Sequence, residues 1–145
     1  MAITQAIANA FKKQLLEGDA NFASGGDKFK LALYTSSATL NSATTSYTTT
    51  QEVSASGAYT AGGGDLAGQN TSVASGVAIV DFADLSFTGV TLTARGAMIY
   101  NTSSAVTNAA VAVLDFGADK TATSGTFTIQ FPAFTTAAAI LRISG

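Results

Sequence analysis

Apolar residues recur every four positions at the start of the chain, at Ile3, Ile7, Phe11 and Leu15. On a helix that spacing forms one stripe. Ala6, Ala8 and Ala10 favour helix intrinsically. Thr4 suits an N-cap, Gly18 a left-handed stop, and Lys12 and Lys13 the negative end of the helix dipole. The pattern therefore predicts a helix over residues 4–17. After a polar, Gly-containing connection (18–27) the period falls to two. Phe29, Leu31 and Leu33 share one face of a predicted strand, and Lys28 and Lys30 the other.

Residues 36–76 are polar, with a Thr-rich run from Thr44 to Thr50 and a Gly-rich run at Gly62-Gly63-Gly64. Such a length exceeds an ordinary loop. It reads as an excursion with short edge pieces, one at 47–53, and as a candidate arm or contact loop. Strands are then predicted at 77–82, 85–93 (one or two, around Gly89), 94–100, 109–116, 126–131 and 138–143. A hairpin-like pair is expected across the polar stretch between Asp115 and Phe131. Pro132, the only proline, should end its strand or lie on an edge. Short β-branched and aromatic runs between Gly, Asn, Ser and Asp predict a mainly β chain. The expected fold is a single antiparallel β-sandwich or barrel-like domain over 1–145, with one N-terminal helix.

Composition narrows the function. The 145 residues suit one domain. Its core must come from nine Phe, four Tyr and scattered Val, Ile and Leu, which is thin for the length and predicts support from neighbouring subunits. Charged residues make up 11%, against about 25% in ordinary soluble domains. A sparsely charged surface packs against other proteins with few ions to desolvate. Cysteine is absent, so disulfides and thiolate metal sites are excluded. No signal peptide or membrane span is expected.

Histidine is absent too, which removes the commonest general base and metal ligand. The pairs Asp81/Asp84 and Asp115/Asp119 could in principle cleave a glycoside. They flank predicted strand ends, where Asp forms turns, and turn roles are expected of them. Gly62-Gly63-Gly64-Asp65 lacks the Lys-Ser or Lys-Thr of a phosphate loop. No enzyme activity and no cofactor are expected. Lys12, Lys13, Lys28 and Lys30 form the only basic concentration in an acidic chain of net charge −2. An acidic protein neighbour suits them better than nucleic acid. Arg95 and Arg142, the only arginines, stand in apolar strand patterns. Either could reach across an interface, although an outward strand position is the ordinary explanation.

Several blocks resemble a family of small structural proteins of tailed bacteriophages and prophages. These are residues 1–18, Phe29-Lys30-Leu31-Ala32-Leu33-Tyr34-Thr35, Glu52-Val53, Gly57-Ala58-Tyr59-Thr60-Ala61-Gly62-Gly63, Ala94-Arg95-Gly96-Ala97-Met98-Ile99-Tyr100-Asn101, Ala112-Val113-Leu114-Asp115-Phe116-Gly117 and Phe127-Thr128-Ile129-Gln130-Phe131-Pro132. The resemblance implies a virion protein assembled in the host cytoplasm, without a catalytic site. A capsid decoration, or cement, protein on the major capsid lattice is the first expectation, and a tail, neck or fibre component the second. Homo-oligomers and contacts with other virion proteins are expected, and membrane contact is not. The candidate interface residues are Ile7 and Phe11 of the helix stripe, Lys12, Lys13, Tyr47, Tyr59, Arg95 and Arg142. The stripe could equally dock on its own sheet. Tyr34, Tyr47, Tyr59 and Tyr100 are the candidates for a receptor- or carbohydrate-binding alternative.

Overall fold

A computed structural model describes residues 2–144. In chain order the elements are β1 (Ala6–Ile7), α1 (Asn9–Leu16), β2 (Phe29–Tyr34), β3 (Gly64–Asp65), β4 (Asn70–Ala74), β5 (Val77–Asp81), β6 (Leu85–Asn101), β7 (Ala109–Ile129) and β8 (Leu141–Ser144). Five strands form one antiparallel sheet, in the order β1-β7-β6-β2-β3. The other three form a second, in the order β4-β5-β8. The chain is mainly β, with one short helix near its start, and the sheets do not close into a barrel. One apolar cluster joins buried residues of both sheets and the helix. Among the described residues no helix is long and apolar enough to cross a membrane.

The helix starts later than predicted. Ala6 and Ile7 pair with Val113 and Ala112 of β7, and Thr4 N–H donates to the Leu40 carbonyl. A four-residue repeat is a multiple of two, so Ile3 and Ile7 share a face in extended chain as well as in a helix. The stripe is thus divided: Ile3 and Ile7 belong to extended backbone, Phe11 and Leu15 to α1. The N-cap is Ala8 rather than Thr4, and it makes no side-chain capping bond. At the other end Gly18 adopts φ +75°, Gly18 N–H donates to the Leu15 carbonyl and Asp19 N–H to the Gln14 carbonyl. This pair of bonds closes the helix as a left-handed Schellman stop.

β2 is buried on both faces rather than half-buried. On one face Phe29 stacks on Phe22 at 4.5 Å between ring centroids, and Phe11 and Phe82 meet these rings edge-on. On the other face lie Tyr34 and, from β6, Tyr100, both covered by the polar excursion. The excursion is therefore no free arm. Tyr47 N–H donates to the Asn108 carbonyl, Val53 N–H to Leu33 and Leu66 N–H to Phe29. β3, β4 and the bridges Ser46–Ala109 and Tyr34–Glu52 all fall within it.

β6 and β7 are longer than predicted. The segments expected at 85–93 and 94–100 form one strand, as do the one at 109–116 and the first four residues of the one at 126–131. The polar stretch after Asp115 continues as strand, and the chain reverses at residues 102–108 instead. Shifts of register between Phe87 and Val90, Val90 and Leu92, and Ala94 and Gly96 absorb the irregularities. Beyond β2 the two strands run as a two-stranded ribbon, largely exposed on one face, so polar residues there mark solvent and not a turn. The last strand is β8, Leu141–Ser144, three residues later than the predicted start. Pro132 lies past the end of β7.

Candidate interaction surface

Two of the four tyrosines meet on one carboxylate, and the other two bond main-chain carbonyls of the same excursion. Tyr47 donates to Glu52 Oε2 at 2.5 Å, and Tyr59 to Glu52 Oε1 at 2.8 Å. Gly62 N–H donates to the same Oε1 at 2.7 Å. Tyr59 also accepts from Leu33 N–H at 2.8 Å, Tyr34 donates to the Thr48 carbonyl and Tyr100 to the Gly62 carbonyl. The Tyr47 and Tyr100 rings stack at 4.8 Å. Burial, reinforced by the Glu52 charge, pushes the Tyr100 phenol up to about 12. The same causes raise Tyr34, Tyr47 and Tyr59 well above the ordinary phenol range. Both Glu52 oxygens are already engaged. The cluster fastens residues 47–62 to the sheet and turns the tyrosine hydroxyls inward.

Tyr59 is fully enclosed, and its ring packs on Phe87. It presents nothing to an outside partner in this fold, and Tyr47 is half-buried on Tyr100. Arg95 lies on β6, half-buried, 3.4 Å from Asp115 and 4.0 Å from Asp119. It takes the outward strand position expected of it, between buried Ala94 and Gly96, and its partners are in the same chain. Lys13 pairs with Glu17 at 2.7 Å, which raises the Lys13 pKa, and points to a different side of α1 from Lys12. Lys30 pairs with Asp65 at 3.2 Å. Of the paired aspartates, Asp84 accepts the Phe131 N–H, 47 residues away, and Asp115, inside β7 and not at a strand end, accepts the Gly117 N–H.

The remaining four candidates come together. Ile7, Phe11, Lys12 and Arg142 line one groove of about 560 Å³ between α1 and the three-stranded sheet. Its floor includes Phe22, Ile79 and Leu141, which are buried. Its rim carries two projecting apolar side chains, Leu16 at 90% exposure and Ile143 at 57%. Residues of all three strands of the small sheet, β4, β5 and β8, form its far wall. Leu16 and Ile143 were absent from the sequence candidates. Leu16 falls next to Leu15 and off the four-residue stripe, which was the available signal that it faces outward. Glu52 was likewise not singled out: its partners Tyr47 and Tyr59 are five and seven positions away, a spacing that matches neither a helix nor a strand signal.

Among the described residues no three ligand-type side chains gather as a metal site. In comparisons with known proteins, no family model, curated protein or solved structure matches this chain.

Proposed function

We propose that this chain is a structural subunit of a tailed-bacteriophage particle, in first place a capsid decoration or cement protein that stabilises the major capsid lattice. The observation that carries the reading is the open apolar groove, rimmed by Leu16 and Ile143, on an otherwise sparsely charged β domain. Exposed apolar surface of this kind marks a site of protein contact. The sequence blocks that resemble phage structural proteins support the setting. A repeated lattice would suit a groove of modest size, because many copies of a weak contact add up through avidity. The tyrosine hydroxyls are engaged internally, Tyr47 and Tyr59 on Glu52 and Tyr34 and Tyr100 on main-chain carbonyls, which favours assembly over receptor or carbohydrate binding.

The test is the copy number and location of the chain in purified particles, by quantitative mass spectrometry and a cryo-EM map. Hundreds of copies on the shell are expected. A dozen or fewer at one vertex would move the assignment to tail, neck or fibre. Absence from the particle would refute the virion reading altogether.

A further inference from the structure

The groove between α1 and the small sheet carries a charge pattern that selects among occupants. Lys12 and Arg142 stand at its rim, and among the described residues no carboxylate lines it. Lys12 reaches only the Asn9 side chain, at 3.4 Å, and Arg142 donates to the Thr136 carbonyl at 3.1 Å. Neither forms an ion pair among the described residues. Of the acids adjacent in sequence to its lining, Glu17 holds Lys13, Asp19 accepts the Ala105 N–H, and Asp81 has a buried oxygen and reaches neither cation as an ion pair. In a chain of net charge −2, an apolar groove flanked by two unpaired cations is a local inversion.

From this we infer that the groove docks an acidic, apolar-anchored segment of a different protein chain. The inference rests on the reading of this face as an assembly surface. Apolar side chains of the segment enter between Phe11, Ile79 and Leu141, and its carboxylates meet Lys12 and Arg142. A second copy of this chain fits less well. In a two-fold pair the same patch meets itself, so two more unpaired cations would arrive with no free carboxylate. A fatty acid would match the apolar floor, but it carries a single carboxylate. Lys12 on α1 and Arg142 on β8 stand on opposite sides of the groove. A peptide with several carboxylates can meet both cations, and a single-headed acyl chain cannot.

The test uses the full chain and three probes in fluorescence anisotropy or competition. The first is a synthetic peptide with leucines four residues apart amid glutamates. The second replaces each glutamate by lysine, and the third is dodecanoate. The glutamate peptide should bind at least about tenfold tighter than the lysine peptide at low salt. Lys12→Glu combined with Arg142→Glu should reverse that preference. Leu16→Asp should weaken the glutamate peptide while leaving the circular dichroism spectrum unchanged. The inference is overturned if neither peptide binds, if both bind alike, or if the charge reversal has no effect. Tighter binding of dodecanoate than of the glutamate peptide would assign a small-molecule site instead. Sedimentation showing a dimer that Leu16→Asp dissociates would assign a second copy. All of these readouts concern the purified chain, so they succeed or fail separately from the particle count.

Discussion

Replacing Glu52 should unfasten the polar excursion from the sheet it covers. In Glu52→Leu three donors lose their acceptor: the Tyr47 and Tyr59 hydroxyls and Gly62 N–H. Tyr47 is half-buried and can turn to water. Gly62 and Tyr59 are buried, and the alternative acceptor for the Tyr59 proton, the Leu33 carbonyl, is 3.5 Å away. Each buried orphan costs about 1–3 kcal/mol, so the expected loss is about 2–6 kcal/mol. That is a large part of the ~5–15 kcal/mol that stabilises an ordinary domain. Glu52→Gln keeps one carbonyl for Tyr59 and Gly62 and disturbs chiefly the Tyr47 bond, for about 1–2 kcal/mol. Urea denaturation followed by circular dichroism gives both values. Amide exchange should show lost protection at Val53 and Leu66, whose N–H groups bond β2. A loss below about 1 kcal/mol in Glu52→Leu, with protection retained, would refute the role assigned to the cluster.

Three further outcomes are expected. Gly63 has φ +82°, and a Cβ there would run into the Leu31 carbonyl oxygen; Gly63→Ala should destabilise by more than about 2 kcal/mol, and a thermal melt unchanged from the parent would count against the β2–β3 pairing. The tyrosine pKa values are raised on folding, so their stabilisation is complete below the ordinary value of 10 and is lost as pH rises above it, for Tyr100 through about 12. Tyrosinate absorbance should therefore appear together with unfolding, at up to about 1.4 kcal/mol of lost stability per pH unit for each tyrosine, and ionisation near pH 10 in an intact fold would contradict the cluster. Phe22→Ala removes the ring stacked on Phe29 and touching Phe11 and Phe82, and should cost about 3–5 kcal/mol in a denaturant titration.

The β-rich class was legible because period-two runs such as Phe29-Lys30-Leu31 and the apolar run Ala97-Met98-Ile99-Tyr100 carry their own signal. Element boundaries were less so, for identifiable reasons. Ile3 and Ile7 obey a spacing that strand and helix share, and only the pairing of Ala6–Ile7 with β7 decides between them. The polar residues of β7 resemble a turn because the ribbon exposes them, a property of the tertiary arrangement. Half of the candidate surface was visible in the stripe and the isolated cations: Ile7, Phe11, Lys12 and Arg142 do share a groove. Arg95 is engaged by Asp115, 20 residues away, and Tyr59 is buried against Phe87 and the Leu33 main chain, 28 and 26 residues away. No local pattern encodes such pairings.

The groove is built from opposite ends of the described chain. Ile7, Phe11 and Phe22 supply one side, and Leu141, Arg142 and Ile143 the other. A ribosome delivers these two sets at the beginning and near the end of residues 2–144. A nascent chain halted after Ile129 could already pair β6 with β7 and bury Phe29, Leu31 and Ile99 against neighbouring side chains. It would still lack β8, and with it part of the far wall and one of the two rim cations. Binding at this surface would thereby report that synthesis has passed residue 143, and prematurely terminated chains would be kept out of any assembly that uses it.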